Sequence, residues 1–194
     1  MGMFAGAVFI RNEQQLTKEQ LIEKFTEYMQ SKGYEACDSE EANQNFSFAF
    51  SGKWFSICGT EEELPLNLKF ADAAFEKFPM FTADLVDSDF VEICLFDTDD
   101  NITDHRCIGE PYWGDEDIFG DATDISAWSA YLKEGATLDD LQEAVDAQEV
   151  FAESAFDTFG ELIELDSNLF FDKEALEFSE KLRNFVTTLY FKKV

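Results

Sequence analysis

The chain contains one histidine, His105, two residues from Cys107. On an extended segment, residues i and i+2 point to the same side, so an imidazole and a thiol face one way there. A cysteine nucleophile could use His105 as its base, yet sharing a side does not put the two groups in reach of each other. Chemistry that needs two imidazoles, including a histidine-rich zinc centre, is excluded within one chain. A mononuclear metal site built on His105 and Cys107 would need two further ligands from elsewhere in the fold. The local sequence reads more simply as a loop histidine, and we assign no catalytic residue and no cofactor.

A second group of ligand types is Asp97, Asp99, Asn101 and Asp104. Oxygen ligands at alternate positions open the twelve-residue calcium loop. The later positions depart from it: Ile102 stands where the sharp turn needs glycine, and Ile108 where a bidentate glutamate closes the shell. The four residues are a candidate cation site, with a polar turn after a strand as the simpler reading. No G-x-x-x-x-G-K-[ST] loop occurs, so nucleotide binding has no support. Paired carboxylates for a small hydrolase are available among 42 acidic residues, but such abundance selects no pair.

Charge is the most informative property. The formal net charge is -28 over 194 residues. Between positions 97 and 166 there are 21 acidic residues against Arg106 and Lys133, a net of -19 (21 minus 2), which leaves -9 for the rest of the chain. About two-thirds of the excess therefore falls in one central segment. A negative face repels nucleic-acid phosphates and anionic membranes and attracts basic proteins. Within the segment, Tyr112 and Trp113 are flanked by Glu110 and by Asp115, Glu116 and Asp117. Aromatic anchors in a charged surround suit a protein interface, and these six residues are the candidate partner-binding set.

Folding is not in question for so acidic a chain. Hydrophobic residues make up 45% and include 22 Phe, far more apolar material than a disordered acidic segment carries. Cys37, Cys58, Cys94 and Cys107 are widely spaced with no C-x-x-C pair, which fits a reducing cytoplasm. No run approaches the roughly 18 apolar residues of a membrane span, and no signal peptide is evident.

The elements that must hold these residues follow from periodicity. Residues 3–10 form an apolar run expected to be a central strand. From Thr17, apolar residues Leu21, Ile22, Phe25, Tyr28 and Met29 recur at helical spacing, and Gly33 ends the helix. Phe46, Phe48 and Phe50 alternate with polar or small residues before Gly52, predicting a hairpin with the run 54–58. A helix over 66–78 stops at Pro79, and strands follow at 81–86 and 90–97, the second apolar on both faces except at Glu92. Beyond Asn101 the chain reads as a loop and then as helices, with Thr137 and Asp140 as an approximate capping box. The C-terminus reads as helix, with a possible last strand over 185–191.

The order β-α-β-β-α-β-β predicts an α+β chain: a ferredoxin-like or split βαβ sheet over 1–108, and a mostly helical acidic part over 109–194 packed on it in one body. The functional expectation is an acidic protein-binding module, of inhibitor or immunity type, docking on a basic partner. The alternatives are a small carboxylate hydrolase or a cation-binding domain.

Overall fold

The computed structural model describes residues 5–99, 101–109, 124–147, 151–166, 169–170 and 179–194. Among the described residues, eight strands form a single sheet: β1 (Ala5–Arg11), β2 (Tyr34–Ala36), β3 (Gln44–Ser51), β4 (Trp54–Gly59), β5 (Met80–Val86), β6 (Phe90–Phe96), β7 (Ile102–Gly109) and β8 (Val186–Lys193). Their order is β2-β8-β3-β4-β1-β5-β6-β7, and every neighbouring pair is antiparallel.

Both faces of the sheet are covered, and each strand's alternation decides which side chains go where. On one face lie α1 (Lys18–Ser31) and α2 (Leu64–Ala74). Helix α1 begins at a full capping box: Thr17 accepts from the Gln20 backbone, and Gln20 reaches back to the Thr17 N–H. Its stripe of Leu21, Phe25 and Met29 meets Val8 and Ile10 of β1, Phe46 and Phe48 of β3, Phe55 and Ile57 of β4, and Phe191 of β8. Phe25 is fully buried, with ring centroids 5.0 Å from Phe46 and 4.9 Å from Phe48. Helix α2 approaches the sheet where Gly6 and Gly59 are register partners. A Cβ on Gly59 would stand 2.7 Å from the Asn67 side chain, so a larger residue there would push the helix away.

The other face carries a 3-10 turn (Ile125–Ala130), α3 (Leu138–Val145) and α4 (Ala152–Leu162). Phe9, Trp54, Phe81, Val91, Ile93 and Leu95 of the sheet pack there against Trp128, Leu141, Phe156 and Phe159. Trp128 sits at the centre, 4.9 Å from the Phe159 ring and 5.3 Å from Phe81.

This architecture corrects the sequence-based expectation of a ferredoxin-like or split βαβ sheet with a mostly helical C-terminal part. The sheet has eight antiparallel strands in an order that is not ferredoxin-like, and the C-terminal residues return to it. Strand β8 lies between β2 and β3, pairing Phe46 with Leu189 and Glu35 with Lys192. The helix before it, Glu180–Phe185, stops where Val186, Thr187 and Thr188 begin, because β-branched residues favour the pleated surface. The second correction is β7, which the sequence presented as a loop. Its inward positions are Asp104, Arg106 and Ile108, buried beneath the 3-10 turn and α4. Two charged residues at core positions erase the alternation by which a strand is recognised.

Candidate functional site

The two pairs of helices differ in charge. Helices α1 and α2 hold Lys18, Glu19, Glu23, Lys24, Glu27, Lys69 and Asp72, a net of -1 (3 minus 4). Helices α3 and α4 hold Asp139, Asp140, Glu143, Glu153, Asp157 and Glu161 and no basic residue, a net of -6. On α4, Glu153, Asp157 and Glu161 are spaced four apart and share one side of the helix. Partial burial pushes the Asp157 carboxyl up, and the negative charges of Glu153 and Glu161 add to it. The stripe is thus a place where negative charge repels itself. Among the described residues, Lys53 pairs with Glu164 just beyond α4, and Arg106 is committed to the interior.

That commitment also decides where one sequence-predicted ligand goes. Asp104 is fully buried and Arg106 nearly so. The Asp104 carboxylate accepts from Arg106 Nη2 at 2.6 Å, from Trp128 Nε1 at 2.6 Å and from the Asp124 N–H at 2.8 Å, and it also takes the Arg106 Nε–H. This network pins the 3-10 turn to β7. Asp97, Asp99 and Asn101 lie apart from it in the β6–β7 turn. Asp97 Oδ1 accepts from the Asp99 N–H at 2.8 Å and the Asn101 N–H at 2.9 Å. Bonds from Asn101 and Asp99 hold the Asp97 carboxyl below the usual range. The structure therefore brings Asp97, Asp99 and Asn101 together as a self-bonded turn, with Asp104 on a different task. The partner-binding candidates Glu110, Tyr112, Trp113, Asp115, Glu116 and Asp117 lie outside the described residues.

A different set of donors converges on the α1/α2 side of β6 and β7. Glu92 and Cys94 alternate onto that face from β6, and His105 and Cys107 do so from β7. The register pairs Cys94 with His105 and Glu92 with Cys107. His105 Nε2 lies 2.6 Å from Glu92 Oε1. Glu92, Cys94 and His105 each offer a ligand atom within 4.8 Å of the other two, the one such trio of His, Cys, Asp or Glu among the described residues. Neither α1 nor α2 packs extensively on these strands, so all three side chains are only partly buried. Burial pushes the Cys94 thiol up to about 11, with the Glu92 charge adding to it and a bond to Thr82 opposing it. Burial and Glu92 likewise push Cys107 up to about 12.

His105 was visible in the sequence as the single imidazole, but Glu92 and Cys94 were not visible as its partners. The available signal was Glu92 interrupting an apolar strand two residues before Cys94. Joining them to His105 requires β7 to be a strand. None of the four cysteines forms a disulfide, and no described helix is long and apolar enough to cross a membrane. No protein-family model, curated protein or solved structure matches the chain.

Proposed function

We propose that the protein is an acidic docking module, of inhibitor or immunity type, whose α3/α4 layer binds a basic protein partner. The observation that carries this reading is the net of -6 on α3 and α4, with no basic residue on either, against -1 on α1 and α2 of the opposite face, or -4 (-1 minus 3) with the acidic turn Glu61–Glu63 that leads into α2. On α3 and α4 the acidic charge is concentrated with no base interleaved. Concentrating it raises the local potential, steers an oppositely charged partner, and makes the association fall with salt. The Glu153, Asp157 and Glu161 stripe bears a repulsion that arriving lysine or arginine side chains relieve. The partner class that fits is a protein with a basic nucleic-acid-binding surface, which the acidic layer would cover.

The test is retention of a basic protein from the native host at low salt on two matched variants. Neutralising Glu153, Asp157 and Glu161 to Gln, Asn and Gln weakens binding between about 3-fold and 100-fold, at about 0.2–1 kcal/mol for each exposed pair. Neutralising Glu19, Glu23 and Glu27 on α1 leaves it unchanged. Equal loss in both variants, or no salt-sensitive partner at all, contradicts the proposal.

A further inference from the structure

We propose that Glu92, Cys94 and His105 form a binding site for one zinc-class divalent cation, with three protein ligands and a fourth position open to solvent. This inference is independent of the docking surface, which lies on the opposite face of the sheet. A thiolate, an imidazole and a carboxylate are the donor types that zinc accepts, while magnesium and calcium take all-oxygen shells. Three protein ligands and an open position is the arrangement of zinc sites that hold a water or a substrate.

The geometry supports the assignment. Metal–ligand bonds of about 2.0–2.3 Å at a tetrahedral angle place two ligand atoms about 3.5 Å apart. The trio's ligand atoms already lie within 4.8 Å of one another, so the widest separation closes by about 1 Å to meet that spacing. The 2.6 Å contact between His105 and Glu92 opens by a similar amount to admit the ion. Side-chain rotation supplies both movements, since Glu92 is 36% exposed while His105 is 15% exposed. The strands need not move: Glu92 and Cys94 are fixed on one face of β6 by its pairing with β5, and His105 by its register opposite Cys94. Thr82, the β5 register partner of Cys94, bonds to the thiol and orients it.

Cys107 is the near neighbour that distinguishes this site from a four-ligand structural one. Its Sγ donates to the Ile108 carbonyl at 3.8 Å, and it is not among the three converging donors. It is therefore assigned no bond to the ion.

The experiment uses the full chain, stripped with a chelator under reducing conditions and titrated with Co2+ while its absorption spectrum is followed. The proposal predicts one equivalent bound, a thiolate-to-cobalt charge-transfer band, and visible bands of the intensity of a four-coordinate ion. Zn2+ abolishes them by displacement and Ca2+ does not. Cys94→Ser removes the charge-transfer band. His105→Gln and Glu92→Gln each weaken Co2+ binding by more than about 100-fold, beyond the 10–100-fold of an outer-shell partner. Cys107→Ser keeps the charge-transfer band. Thermal unfolding of each variant verifies the fold, and Cys94→Ala replaces Cys94→Ser should the latter not fold. No bound Co2+ at large excess, a spectrum unaltered by loss of Cys94, or displacement by Ca2+ overturns the assignment.

Discussion

The helical layers on the two faces of the sheet use the same means to fold and opposite means to meet solvent. Each begins a helix with a threonine capping box, Thr17 with Gln20 on one side and Thr137 with Asp140 on the other. Each buries a cluster of phenylalanine rings against the sheet. Outside, α1 and α2 interleave lysine with acid, and α3 and α4 carry acid alone. Packing therefore does not explain the charge difference. An acidic residue on an exposed helix position contributes little to stability in either layer.

The largest effects should be the ones the layers share. Phe25→Ala under α1 and Phe159→Ala under α4 each remove a fully buried ring, and each is expected to cost about 3–5 kcal/mol in denaturant unfolding. A markedly smaller loss at Phe159 would mean that the acidic layer is only loosely attached, and the comparison would fail. Asp104→Ala strands the buried Arg106 guanidinium beneath that same layer. It should cost about 3–5 kcal/mol and free the 3-10 turn, visible as loss of the near-ultraviolet signal of Trp128.

Next comes the acid sensitivity of the two capping boxes. Bonds from the Thr137 side chain and backbone hold the Asp140 carboxyl below its ordinary value. Its contribution is present above the unfolded aspartate value of about 3.9 and is lost as pH falls through the lower folded value. The Thr17 box closes through the amide of Gln20, and the Glu19 carboxyl beside it is held below its ordinary value by a bond to its own backbone and by one to the Thr17 side chain. Thr17→Ala and Thr137→Ala should each cost about 1 kcal/mol at neutral pH. In strong acid both penalties should shrink, the Thr137 one with protonation of Asp140 and the Thr17 one with protonation of Glu19, which denaturant melts at both pH values measure. Equal penalties at both pH values would show that Asp140 adds nothing to its cap.

The smallest effect distinguishes the layers most cleanly. Asp157 has a raised carboxyl value, so its ionisation opposes folding above that value and the opposition fades as pH falls. Asp157→Asn should raise the melting temperature slightly, and more at low salt than at high salt, because salt screens the repulsion from Glu153 and Glu161 but leaves the cost of burial. A decrease would show that Asp157 holds a favourable contact.

The sequence made most of this molecule legible wherever apolar residues kept a clean period. The Phe46, Phe48, Phe50 stripe, the α1 stripe and both capping threonines were readable, and so was the concentration of acid between 97 and 166. Legibility ended where buried residues were charged. Asp104 and Arg106 disguised β7, and with β7 went the face that joins His105 to Cys94 and Glu92. A last strand was readable over 185–191, but its place between β2 and β3 was not, since the pairing of Phe46 with Leu189 joins residues far apart in the chain and no local pattern reports it. The assignment of acid to one face likewise required the fold, because sequence shows a segment and only topology shows a side.

The central claim is that this one-sided charge is a docking surface. The most direct measurement is amide chemical-shift mapping of the isotope-labelled chain titrated with an arginine-rich peptide at moderate salt. The account predicts shifts concentrated on α3 and α4, largest near Glu153, Asp157 and Glu161, and reversed by added salt. Shifts spread equally over α1 and α2, or persisting unchanged in high salt, would contradict it.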